Sequence, residues 1–192
     1  MSTRDALLEV TARLFAEHGW RGTTTRRIAE AAGVNEVTVF RTFGSKDALL
    51  MESIRVQSAA AMPDVLPAAP GDLRAELRAW GMAHHARLHE RRSMIRTCLA
   101  EFEEHPELAP VACEGAEATI ADSIRYLGEA RRRGLIGPEG SLEAATLMLM
   151  NAIFLDAITR DVVPGCAPVP AEQAVADFVD LTLRALGAQA VA

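Results

Sequence analysis

Apolar residues recur along this chain at helical spacing, and nowhere do they alternate convincingly as in a strand. Leu7, Val10 and Leu14 follow i, i+3, i+7 and Phe15 widens the stripe, which predicts a helix from Ser2 to His18. Ser2 with Asp5 makes a capping-box pattern at its start, and Gly19 supplies the stop. Thr24 can cap a second, short helix whose apolar side is Ile28, Ala29, Ala31 and Ala32, and Gly33 ends it. Asn35 can cap a third, in which Val39 and Phe43 are four apart and share a face. Ser45 can cap a fourth, from Lys46 to about Ala61, with Leu49, Leu50 and Ile54 on one side and Pro63 at its end.

The run from Met62 to Gly71 holds Pro63, Pro67 and Pro70 and reads as a loop and a domain boundary. Beyond it the pattern predicts helices over Asp72 to Glu90 and Arg91 to Glu104, then, after Pro106, a long one from Glu107 to Arg133 with Pro110 in its first turn. Arg131, Arg132 and Arg133 close that helix before Gly134, where cations complement the dipole. Ser141 can cap a helix to about Arg160 that is apolar on nearly every side, so it must be covered by the core or by another subunit. Pro164, Pro168 and Pro170 break the chain again, and a last helix from Ala171 to Leu186 carries Val175, Phe178, Val179 and Thr182.

One pair of these helices carries a functional signal. Thr24 to Lys46 reads as helix, glycine-containing turn, helix, the plan whose second helix enters the major groove of DNA. The second helix turns Glu36, Val37, Thr38 and Arg41 outward. Arg26 and Arg27 sit in the first turn of the preceding helix, where the dipole disfavours cations unless phosphates lie nearby. A solvated polar face on a surface helix pair is the bland alternative.

The residues Ala12, Leu14-Phe15-Ala16, Gly19-Trp20, Thr23-Thr24, Ile28-Ala29, Ala32-Gly33-Val34, Thr38-Val39-Phe40, Phe43 and Ser45-Lys46 form a pattern that resembles the DNA-binding domain of TetR-family transcriptional repressors. The resemblance runs from Leu8 to Leu50, about a quarter of the chain. It implies an all-α dimer: a three-helix head over residues 1–50, a bridging helix over about 46–61, and a ligand-binding and dimerisation bundle over 62–192. Taken with the outward placement, it puts Thr24, Arg26, Thr38, Arg41, Thr42 and Lys46 at phosphate or sugar and Glu36 and Val37 at base edges, with Thr25 and Phe40 on the same surface. The family usually has tyrosine where Phe40 stands, histidine where Thr42 stands and a small residue where Val37 stands. Phe40 therefore lacks the hydroxyl that the family tyrosine gives to phosphate, and Thr42 offers one instead.

Composition narrows the function further. The net charge of −6 and pI near 5.4 argue against nonspecific coating of nucleic acid. Residues 1–50 hold seven Lys/Arg against six Asp/Glu, so the acid lies in the rest of the chain, as suits site-specific binding. Cys98, Cys113 and Cys166 form neither a metal-type pair nor a disulfide framework, and no signal-type run or 18-residue uninterrupted apolar stretch occurs. A reduced cytoplasmic protein is expected. Glycine-rich phosphate loops and Gly-x-Ser-x-Gly elbows are missing, and Glu101, Glu103 and Glu104 read as a solvated charge run, so no enzyme is expected. His85 and His89 are four apart, a metal-ligand spacing, with His84 beside them. Without an accompanying motif the expectation is no metal and no cofactor.

The resulting expectation is a regulator that represses at a palindromic operator and is released by a mainly apolar organic effector. The effector pocket is expected among Trp80, His84, His85, Leu88, Cys98, Phe102, Tyr126, Asn151 and Phe154. The dimer interface is expected at Met148, Leu155, Val175, Phe178 and Thr182, a four-helix contact between copies. A helical adaptor that has lost DNA binding and acts through protein contacts is the alternative, with Phe40 and Thr42 as its support.

Overall fold

In the computed structural model the described residues are 2–58 and 66–188, and among them every regular element is an α-helix. In order these are α1 (Thr3–Gly22), α2 (Thr25–Ala32), α3 (Glu36–Phe43), α4 (Lys46–Ser58), α5 (Leu73–Glu90), α6 (Arg92–Glu101), α7 (Leu108–Ala112), α8 (Glu114–Arg132), α9 (Leu142–Thr159) and α10 (Ala171–Ala185). The expected end of the fourth helix, Ala61 to Pro63, lies outside the described residues.

The caps form as the side chains dictate. Ser2 and Asp5 make the reciprocal capping box on α1, Thr24 Oγ1 accepts from Arg27 N, and Asn35 Oδ1 accepts from Val37 N. Ser45 and Ser141 cap α4 and α9 in the same way. Each such cap contributes about 1 kcal/mol. Gly33 ends α2 at φ 67°, ψ 31°, a left-handed geometry open to glycine at little cost. Gly19 differs from expectation. It leaves helical geometry at φ 67°, ψ −172°, but the chain resumes and α1 runs on to Gly22.

The chain divides into two compact units. The first, the head, joins the residues up to 61 with Arg91–Gly115, so it contains α1 to α4, α6 and α7. Two cores fill it, one on each side of α1. Leu7, Leu8 and Leu14 pack with Ile28, Ala29, Val39 and Leu49 behind the helix-turn-helix. Phe15 and Trp20 pack with Leu50, Ile54, Cys98, Leu108 and Val111. Polar contacts tie the layers: Ser53 Oγ donates to the Leu8 carbonyl at 2.6 Å in a buried bond, and Thr97 Oγ1 to that of Ala16 at 3.2 Å in a half-buried one.

This division corrects the sequence expectation at 91–115, which read as body. The apolar residues of α6 and α7 are too sparse to show their destination, and they close the open flank of α1 and α4. The expected long helix from Glu107 is also two helices, α7 and α8, parted at Cys113. Gly115, in the first turn of α8, passes the Ser58 carbonyl so closely that an added Cβ would lie 3.0 Å from it.

The second unit, the body, holds α5, most of α8, α9 and α10 around Leu77, Trp80, Tyr126, Leu127, Ile153, Val175, Val179 and Leu183. Gly81 lets α5 approach closely, since a Cβ there would meet Val175 Cγ1 at 2.9 Å. The arginine triplet closing α8 is used locally. Arg131 donates to the carbonyls of Gly137, Glu139 and Gly140, Arg133 to that of Pro70, and Arg132 and Arg133 both pair with Glu129.

α9 is long and apolar enough by composition to cross a membrane, but it is two-sided. Ala145, Leu149, Ile153 and Ala157 face the core, while Leu147, Met148, Asn151 and Leu155 are exposed, Met148 at 73% and Leu155 at 59%. On α10 the expected interface residues Val175 and Thr182 are instead buried, Val175 at 0% exposure, because the stripe they belong to is the one that faces α5 and α9. Phe178 is half-buried and Leu181 is exposed.

Candidate nucleic-acid interface

The head's two short helices are joined by a short turn through Gly33. Ile28 and Ala29 of α2 and Val39 of α3 are buried in one cluster, which fixes both helices on α1. Their remaining sides reach solvent. On α2 these are Thr24, Arg26 and Arg27, and on α3 Val37, Phe40 and Arg41.

The polar groups between them are largely engaged. Thr25 Oγ1 donates to Glu36, joining the first turn of α2 to the first turn of α3. Thr42 Oγ1 donates to the Thr38 carbonyl at 2.7 Å. Arg26 pairs with Glu30 one turn along, and Arg27 Nη1 donates to the Gly22 carbonyl at 2.9 Å. Both members of the Arg26–Glu30 pair are exposed, so the pair contributes little to stability. Glu36, expected at a base edge, is therefore half-buried and bonded to Thr25.

Lys46 begins α4, and its Nζ donates to the Trp20 carbonyl at 2.9 Å and lies 5.4 Å from the Trp20 ring centre. The same Trp20 is held from a second direction. Its backbone N–H donates to Glu101 Oε1 at 2.9 Å, and its ring stacks on His105 at 4.1 Å between centroids. Arg21 donates to Glu104 at 2.7 Å. The end of α6 thus grips the last turn of α1, next to Thr23 and the cap of α2. A charged hydrogen bond of the Trp20–Glu101 kind contributes roughly 1.5–3 kcal/mol. Sequence reasoning took Glu101 and Glu104 for a solvated run and passed over His105. No local pattern connects residues some eighty positions apart.

At the start of α1, the Arg4 guanidinium lies 4.6 Å from the Phe43 ring centre and pairs with Glu52. This ties the end of α3 to α1 and α4.

The residues expected to line an effector pocket are divided between the two units. Cys98 and Phe102 belong to the head, in the cluster around Phe15 and Trp20. Asn151 is exposed on the outer side of α9, and Phe154 and Leu88 are half-buried. Trp80, His84, His85 and Tyr126 are buried in the body. His84 stacks on Trp80 at 5.5 Å, and burial pushes its pKa down to about 4. His85 Nε2 donates to Asp156 Oδ2 at 2.8 Å, and Arg160 donates to both oxygens of Asp156. His89 Nδ1 meets the Ala157 carbonyl at 3.0 Å. The i, i+4 histidine pair thus faces polar groups of α9, which accounts for its spacing. Tyr126 donates its hydroxyl to Glu76, and its own pKa is raised, first by burial and then by that bond. A depression of about 190 Å³ lined by residues 160–165 and Ala167 is smaller than the roughly 300–1,000 Å³ usual for small-molecule sites.

A helix-turn-helix packed on a longer first helix, with an all-helical body, defines the class of helix-turn-helix transcriptional regulators. Residues 7–52 match the family of bacterial regulatory proteins of the tetR type. The chain is 28% identical over 155 residues to the HTH-type transcriptional regulator YvkB of Bacillus subtilis, covering 79% of each protein. Over 65 residues, about a third of each chain, it is 40% identical to the repressor AcnR of Corynebacterium glutamicum. In structure it matches a TetR-family regulator from Mesorhizobium loti at a TM-score of 0.80, with 20% identity over 96% of both chains. It also matches the flavonoid-responsive regulator FrrA at 0.73, with 24% identity over 98% of both. Residues 7–52 thus match a TetR-type DNA-binding domain, and the relatives that the chain resembles are transcriptional regulators.

Proposed function

We propose that the protein is a repressor that binds a palindromic operator as a homodimer in the cytoplasm and leaves it when a small organic molecule binds the body. The observation that carries the DNA-binding part is the geometry of α2 and α3. Buried Ile28, Ala29 and Val39 fix the pair, and Val37, Phe40 and Arg41 project from the second helix. Thr24, Arg26, Arg41 and Lys46 are assigned to phosphates, with Thr25, Thr38 and Thr42 bracing them.

The dimer reading is supported by the outer side of α9, where Leu147, Met148 and Leu155 are exposed on either side of Asn151, and by Leu181 on α10. Large apolar side chains gathered on one exposed face mark interaction surfaces in soluble proteins. The effector reading draws on the buried Trp80, His84, His85 and Tyr126, an apolar setting with polar groups that can orient a ligand. An effector acts only through its different affinity for the two states of the dimer.

Selection of duplex DNA from a random pool tests the first claim, with enrichment of a twofold-symmetric sequence as the expected result. Recovery of no sequence would return the head to the adaptor reading. Compounds that release the selected DNA should change Trp80 fluorescence over the same concentrations in a Trp20→Phe background. Release by compounds that leave Trp80 unaffected would move the effector site elsewhere.

A further inference from the structure

We infer that α3 reads its operator mainly through apolar contact with pyrimidine 5-methyl groups, which in unmodified DNA means thymine, by way of Val37 and Phe40. This rests on the reading of α3 as the helix that enters the major groove.

Three observations lead there. First, Glu36, Thr42 and the cap residue Asn35 make hydrogen bonds within the head. Asn35 Oδ1 caps the Val37 N–H, Glu36 accepts from Thr25, and Thr42 donates to the Thr38 carbonyl. Glu36 in particular is not available to accept from a cytosine amino group without giving up the bond that joins α2 to α3. Second, Val37 is 69% exposed and Phe40 49% exposed, and they stand at i and i+3, one above the other on the same side of one helix. Third, neither residue is needed by the head's core. Val39 and Phe43 are the residues of α3 that pack against it.

A helix that engages Glu36 and Thr42 internally and shows Val37 and Phe40 to solvent suits an apolar partner. The major groove has one such feature at base edges, the thymine 5-methyl group, and Val and Phe are suited to it. Arg41, exposed at the position after Phe40, stays with the phosphates. The phenyl ring at position 40 thereby takes up base readout where the family's tyrosine gives its hydroxyl to phosphate.

The test uses the full-length protein and the duplex it selects from a random pool. Replacing thymine by deoxyuridine removes the methyl group and nothing else. Done at one symmetric pair of positions at a time, it should weaken binding about fourfold per contacted methyl, hence roughly sixteenfold per pair of half-sites. Phe40→Ala and Val37→Ala should each abolish the penalty at one position and keep it at the other. Circular dichroism checks that these surface variants remain folded. Where a contacted position is changed to a C·G pair, 5-methylcytosine should bind about fourfold more tightly than cytosine, because the methyl returns. If every deoxyuridine duplex binds as tightly as its parent, the inference is overturned while the operator reading stands. If no sequence is selected at all, both fall.

Discussion

Removing the charge of Lys46 tests how the head meets the DNA backbone. Its Nζ makes one bond, to the Trp20 carbonyl. An ammonium has three donors, so two are left for a phosphate. Lys46→Met keeps the length and apolar stem and deletes the charge. If Lys46 neutralises one phosphate per subunit, the slope of log affinity against log salt should fall by about 0.9 per head, or about 1.8 for a dimer. Across a roughly fourfold rise in salt, the wild type should then lose about twelvefold more affinity than the variant. Fluorescence anisotropy on a selected operator at several salt concentrations reads this directly. Losing the bond to the Trp20 carbonyl should also destabilise the head by roughly 1 kcal/mol, at the low end because the site is partly exposed. Thermal unfolding measures that second effect by itself. An unchanged salt slope together with a lowered melting temperature would refute the phosphate role and leave Lys46 as a brace for Trp20.

Other consequences follow from burial and backbone geometry. Met148→Glu with Leu155→Glu should release monomers by light scattering while leaving the helical circular dichroism intact, whereas Val175→Glu should unfold the body, because Val175 is 0% exposed. His84 has a pKa near 4 when folded, below the ordinary 6.5, because burial disfavours its charged form. The unfolded chain therefore takes up the proton first: stability is full above about pH 6.5 and declines by up to about 3 kcal/mol as pH falls toward 4. Denaturant midpoints against pH should show this decline, and His84→Phe should flatten it. Gly19→Ala should cost roughly 1–3 kcal/mol, since its backbone geometry is nearly glycine-only and the new Cβ would lie 2.7 Å from Glu101 Oε1. A melting temperature equal to the wild type would count against the Glu101 grip on the last turn of α1.

The sequence made the head legible because its determinants are local. Thr24, Gly33, Asn35 and Ser45 act within three or four residues of themselves, so caps and stops can be read off the chain. Of the outward set on α3, Val37 and Arg41 are exposed as that short helix suggests, whereas Glu36 and Thr38 are half-buried. What escaped was decided by partners far along the chain. Glu101 and His105 look like surface residues until Trp20 is placed beside them. Cys98 and Phe102 look like pocket residues until Phe15 and Leu50 claim them. On α10, helical periodicity showed that Val175, Phe178 and Thr182 form a stripe but could not say whether the stripe meets its own core or a second copy. The nearly all-apolar α9 hid its two-sidedness for the same reason, as hydrophobicity alone does not distinguish Ile153 inside from Met148 outside.

The interleaved make-up of the head has a consequence for anyone who wishes to transplant it. A chimera made by joining residues 1–61 to a foreign sensor would strip Cys98, Leu108 and Val111 from the flank they cover. Phe15, Leu50 and Ile54 would then face water, and the fragment would be prone to self-association. The portable reader is made of two separate stretches of chain, the first about sixty residues and Arg91–Gly115, and a working graft must supply both.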